Sequence, residues 1–293
     1  MSSHLKGILF VSIGALFWGG SGVAAQYVLQ VKGFSPSWLV CARMIAAGFL
    51  LLLADMVQHP HSLLSVWKSK KDRQELLLFA FCGMLGVQYT YFTAIYYGNA
   101  AAASVLQYLM PVLVVIWGAL RARALPTIKE VLCVLLAIAG AFLLVTRGDL
   151  SSLAVPPLAI FWGVLSAFGA AFYTVQPKRL LITFRSPLVI GWAMLLGGLM
   201  LFPLHPLWHF IGTMDIAAAF VFAYIIIFGT VLAFWFYLES IKYLPPAEIS
   251  ALASIEPLSA VLLSTVLLTV PFGPIETVGA ALILSTVFIL ARR

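Results

Sequence analysis

Arg43 and Glu256 are two charges of opposite sign that fall deep inside apolar runs of this sequence. A charge in hydrocarbon is costly, so each is expected to face a partner or a polar cavity. Arg43 lies about seven residues into its run, which at ~1.5 Å per residue is roughly 10 Å from the near boundary. Glu256 lies about ten residues into its own run, near the middle by the same arithmetic. The two can form a structural ion pair, or meet the carboxylate and ammonium ends of a zwitterion. Arg43 could instead extend its stem towards the headgroups. Glu256 is also a candidate for proton coupling. The acids Asp55, Glu75, Asp215, Glu239 and Glu248 stand near the ends of apolar runs, where a solvated interfacial role is expected.

Other polar groups share this depth. Trp18, Tyr91, Tyr173 and Tyr237 carry ring N–H or hydroxyl groups that need partners, which a polar cavity or a neighbouring helix would provide. Gln88 and Gln107 must face protein or water, because an unpaired amide in lipid costs several kcal/mol. Pro111 and Pro257 each remove a backbone donor, and so are expected to kink their helices and bare a carbonyl. Gly19 and Gly20 allow close helix approach, or a joint for movement. Enzyme chemistry finds no foothold. His4, His59, His61, His205 and His209 have no metalloprotease spacing, no Gly-x-Ser-x-Gly elbow is present, and no pair of deep carboxylates offers acid–base work. No phosphate-cradling glycine loop appears, so no nucleotide or other cofactor is expected. Cys41, Cys82 and Cys133 lie in apolar runs without metal-ligand spacing.

The elements that must hold these groups are membrane helices. Of 293 residues 63% are hydrophobic and 9% charged, and mean hydropathy is +1.07. Soluble domains run at about 45–50% apolar and about 25% charged. A span needs ~20 apolar residues. Cutting at charges, Pro and Gly clusters predicts ten, at 7–30, 36–57, 75–97, 100–120, 127–146, 157–176, 187–207, 215–238, 246–268 and 275–291. With the N-terminus inside, all but Lys32, Arg43 and Arg147 of the 17 cations fall in cytoplasmic segments, Arg121, Arg123, Arg292 and Arg293 among them. Both termini are then cytoplasmic. The net charge of +7 reads as topology and lipid contact, and nucleic acid is not an expected partner.

The chain repeats itself. At one constant offset Gly83, Tyr91, Tyr97, Ser104, Leu106, Pro111, Glu130 and Phe142 meet Gly229, Tyr237, Tyr243, Ser250, Leu252, Pro257, Glu276 and Phe288. Trp18 meets Tyr173 more loosely. Two units follow, residues 1–150 and 151–293, with five spans each. An odd number inserts the second unit the other way up, the inverted repeat common among transporters.

Ten spans in this order, with Ala15-Leu16-Phe17-Trp18-Gly19, the Arg43 region, Tyr91 to Tyr97 leading into Pro111, and Tyr237 to Tyr243 leading into Glu256-Pro257, resemble the EamA family of the drug/metabolite transporter superfamily. The resemblance covers nearly the whole chain. It implies an all-α membrane carrier, often an exporter, of amino acids or related metabolites, with a cavity between the halves. The expected setting is the bacterial inner (plasma) membrane, and the expected mechanism alternating access by a monomer. Trp18, Arg43, Gln88, Tyr91, Gln107, Tyr173, Tyr237 and Glu256 are the candidate substrate-binding residues, and Gly19, Gly20, Pro111 and Pro257 the candidate hinges or kinks. Expected partners are a small-molecule substrate, membrane lipid and protons. A channel-like facilitator and a membrane-embedded enzyme stand as the alternatives.

Overall fold

The structure, a computed structural model, describes residues 3–60, 63–122, 127–149, 153–240, 242–244, 249 and 252–291. His61, Arg123, Pro246, Glu248, Ser250, Arg292 and Arg293, used in the arguments above, lie outside the described residues. Among the described residues every regular element is helical. In chain order the apolar helices are α1 (Ser3–Val31), α2 (Pro36–Gln58), α3 (Lys70–Tyr97), α4 (Ala100–Gly118), α5 (Ile128–Thr146), α6 (Pro157–Thr183), α7 (Ser186–Leu201), α8 (Ile216–Ser240), α9 (Ile255–Leu268) and α10 (Pro274–Ile289). Seven are long and apolar enough to cross a membrane, while α7, α9 and α10 are shorter.

Local chemistry sets the ends. Ser35 accepts a hydrogen bond from Trp38 N at 3.1 Å, and Pro36 follows at the first helical position of α2, where its missing N–H costs nothing. Asn99 caps α4 through Ala102 N, and Asp215 caps α8 through Ala218 N, each at 2.8 Å. Thr127 and Glu130 form a capping box at the start of α5. The seventh run, expected to reach Leu207, stops at Leu201. Pro203 and Pro206 follow, and neither has an N–H with which to extend the helix.

Three helices contain wide turns with i→i+5 bonds: Tyr27–Val31 closing α1, Phe79–Leu85 within α3 and Ile227–Leu232 within α8. Within α4 the regular helix gives way at Tyr108 and Leu109 and resumes at Met110, beside Pro111. Ahead of α9, helical Leu252 and Ala253 are followed by a turn at Ser254, three residues before Pro257.

Helix α2 packs along α7, α5 along α10, and α3 along α6. Helix α1 lies against α8 and α9, whereas α4 lies against α6 and α9. Small residues permit these approaches. A Cβ at Gly140 of α5 would stand 2.5 Å from the Gly279 carbonyl of α10, and one at Gly279 would stand 2.7 Å from the Gly140 carbonyl.

Ion pairs join the ends of the bundle. Lys32 Nζ meets Asp215 at 2.6 Å, Arg179 Nε meets Glu75 at 2.7 Å and Arg179 also reaches Asp72, and Arg147 reaches Glu276. The expectation for Asp55 is corrected: it is buried, and Arg185 holds it from two nitrogens at 3.0 and 2.9 Å. Arg185 precedes α7, and the packing of α7 on α2 carries it over the carboxylate.

Candidate functional site

A cavity of about 210 Å³ opens where α1, α2, α3, α4, α6, α8 and the start of α9 converge. The structure gathers Trp18, Arg43, Gln88, Tyr91, Gln107, Tyr173, Tyr237 and Glu256 on its wall, with Pro111. Gly19, Gly20 and Pro257 lie outside it. Helix α1 runs unbroken through Gly19 and Gly20. A Cβ at Gly19 would stand 2.6 Å from the Glu256 carbonyl, so this stretch seats α1 against α9 at the level of the cavity.

Arg43 is 5% exposed. Its Nε donates to Thr230 Oγ1 at 2.7 Å, its Nη2 donates to the Gly229 carbonyl at 3.3 Å, and its guanidinium lies over the Phe92 ring at 4.6 Å. Thr230 in turn donates to the Ile225 carbonyl at 2.9 Å. Gly229 and Thr230 belong to the wide turn of α8. That turn therefore supplies both acceptors for a cation carried by α2.

Glu256 is half-buried on the cavity wall and feels the field of Arg43. Among the described residues the two make no ion pair, although each is the other's counter-charge. Tyr108 Oη, beside Glu256, donates to the Ala253 carbonyl at 2.6 Å and so bridges the irregular turns of α4 and α9. Tyr91 Oη and Ser104 Oγ lie 2.8 Å apart. Trp18 packs on Phe234 and Tyr237, with centroids 5.0 and 5.1 Å apart, and Tyr173 stacks on Phe79 at 5.5 Å. The cavity thus offers one cation, one carboxylate, amides and aromatic faces, a set suited to holding a small polar molecule by both charge and shape.

Tyr108, Ser21, Thr174, Phe92 and Phe234 also line the cavity and were not among the sequence candidates. Tyr108 stands three residues before Pro111 and so shares its helical face, a spacing that could have marked it. Thr230 carries no comparable signal, because only the wide turn brings it to Arg43.

The family model of the EamA-like transporter family matches residues 5–146 and again 157–292. The chain belongs to the EamA-like transporter family. Among relatives of this EamA-like chain is the uncharacterized inner membrane transporter YicL of Salmonella typhimurium strain LT2, 40% identical over 293 residues, spanning 99% of this chain and 97% of that one. A solved protein crystal structure superposes with a TM-score of 0.61 at 19% identity, covering 99% of this chain and 96% of its own, which is a likeness of fold. This EamA-like protein is accordingly a multi-pass membrane transporter, with a small-molecule substrate, and not an enzyme.

Proposed function

We propose that this EamA-like transporter is a secondary carrier that exports small zwitterionic metabolites such as amino acids across the bacterial inner membrane by alternating access. The observation that carries the reading is the unpaired opposition of Arg43 and Glu256 in a midway cavity of amino-acid size. A carboxylate meets Arg43, an ammonium meets Glu256, and the side chain lies against Trp18, Tyr173 and Tyr237. The relative of Salmonella, named as an inner membrane transporter, supports the location.

The full reading has ten spans in two inverted halves, residues 1–150 and 151–293. Four observations support it. The family model matches twice, once in each half. Shifted by the offset of the sequence repeat, the wide turn of α3 overlaps that of α8, and the break at Tyr108 falls on the turn at Ser254. Helix partners exchange consistently: α3 with α6 corresponds to α8 with α1, while α2–α7 and α5–α10 map onto themselves. The Lys/Arg bias favours cytoplasmic termini. Rocking about this pseudo-two-fold would expose the cavity to one side and then the other, and Glu256 would couple a proton to that cycle. The chain acts as a monomer in this scheme.

The test is reconstitution in liposomes and counterflow of labelled leucine, phenylalanine and other amino acids, with and without a pH gradient. Saturable counterflow that Arg43→Ala abolishes is the expected result. Wild-type counterflow at an undiminished rate in Arg43→Ala and Glu256→Gln would remove the site.

A further inference from the structure

We infer that Ser21 and Arg43 together form a carboxylate subsite in the cavity, with Thr230 as its positioning residue; this rests on the carrier reading above. Ser21 lines the cavity and is 2% exposed, and its Oγ, packed against Gly229, has no hydrogen-bond partner among the described residues. Buried helical hydroxyls normally return their proton to the preceding turn. Thr90, Thr93 and Thr146 follow that habit, each donating to the carbonyl four residues back, whereas Ser264, outside the cavity, like Ser21 has no partner among the described residues. Ser21 therefore keeps a donor free at a place where water is largely excluded. A buried donor left unmade is costly, and a ligand acceptor relieves that cost.

Arg43 has the complementary shortage. Of the five N–H donors of a guanidinium, those on Nε and Nη2 are tethered to Thr230 and Gly229, and one face is covered by Phe92. Among the described residues no carboxylate stands within ion-pair distance of it. A buried cation whose counter-charge, here Glu256, stays beyond ion-pair distance is costly unless something completes it.

Gly229 joins the two groups. Its carbonyl holds Arg43 Nη2, and its Cα presses so closely on Ser21 that a Cβ there would overlap the serine hydroxyl. The free hydroxyl and the guanidinium therefore converge on one residue of the α8 turn. The arrangement suits a planar anion with two acceptor oxygens, one on the guanidinium and one on the hydroxyl, which is a carboxylate. Thr230 acts through Arg43: it accepts from Nε and is itself anchored on Ile225, so it sets which guanidinium edge the cavity receives.

The probes are leucine and phenylalanine, each paired with its carboxamide, in proteoliposome counterflow. Ser21→Ala is expected to raise KM for the two acids roughly tenfold with Vmax kept, since a hydrogen bond to a charged acceptor is lost, while KM for the amides changes little. Thr230→Val is expected to weaken the acids in the same selective way, and Thr230→Ser to restore them. A wild-type protein that moves the acids while Ser21→Ala shifts acid and amide alike overturns the subsite and leaves the carrier reading standing. Wild-type protein that moves neither acids nor amides overturns the subsite together with the amino-acid reading. Normal elution and melting of Ser21→Ala and Thr230→Ser exclude misfolding as the cause.

Discussion

At the scale of residues, the cavity sets one guanidinium and one carboxylate on its wall and holds the guanidinium from a single turn of α8. Arg43 is fixed by a planar fork whose Nε and Nη2 reach different acceptors. Lysine has no second donor at that geometry. Arg43→Lys should therefore keep the charge and lose the orientation, raising KM for a zwitterion about tenfold or more in counterflow. Glu256 faces the cavity with the Tyr108 hydroxyl beside it. In Glu256→Gln, counterflow of a zwitterion should weaken and accumulation driven by a pH gradient should disappear; a variant that still accumulates substrate would remove the coupling role. Arg43 and Glu256 were legible in the sequence because a charge inside an apolar run has few tolerable explanations. The aromatic and amide candidates followed from the same argument about depth. Ser21 and Thr230 did not, because serine and threonine are common in membrane helices. Their significance depends on which hydrogen bonds their hydroxyls make.

At the scale of elements, close packing and helix irregularity carry the predictions. A Cβ at Gly48 of α2 would stand 2.9 Å from the Gly191 carbonyl and from Leu195 Cα of α7. Gly48→Leu should lower the melting temperature in detergent, at a cost of about 1–3 kcal/mol or more for forced overpacking. A Cβ at Gly118 would meet nothing within 4 Å beyond its own helix. Gly118→Ala should leave melting unchanged or raise it, by up to about 1 kcal/mol of helix propensity. The pair of Lys32 and Asp215 ties the α1–α2 connection to the cap of α8. Lys32 holds the Asp215 carboxyl below its usual value of 3.8, and Asp215 holds the Lys32 ammonium above 10.5. The carboxyl's contribution is complete above 3.8 and fades as pH falls through its lower folded value. The ammonium's contribution is complete below 10.5 and fades as pH rises through its higher one. A double-mutant cycle with Lys32→Met and Asp215→Asn should show coupling in melting at pH 7 that vanishes in strong acid. Helix positions were legible from hydropathy, and the caps Ser35, Asn99, Thr127 and Asp215 sit where such residues favour helix starts. The wide turns were not, since nothing in Phe79–Leu85 or Ile227–Leu232 departs from an ordinary apolar helix. The end of α7 at Leu201 depended on two prolines in a run that hydropathy alone would extend.

At the scale of the whole molecule, the transporter class was legible because the proportion of apolar residues leaves no soluble alternative, and because the repeat runs through both halves. Which helix touches which was not, because lipid-facing and protein-facing apolar residues look alike in composition. The packing links α1 to α8 and α9, and α6 to α3 and α4, so partners are drawn from opposite halves of the chain. This arrangement bears on how the protein is made. When the ribosome has delivered the first five helices, the faces of α1 meant for α8 and α9 have only lipid against them, and Ser21 has no Gly229 to press upon. The early helices must wait in the bilayer, inserted but unfinished, until the last third of the chain arrives. Residues 1–150 expressed alone should insert yet be cleared quickly by membrane proteases. Residues 151–293 supplied from a second message should prolong their lifetime, a rescue readable by pulse–chase labelling.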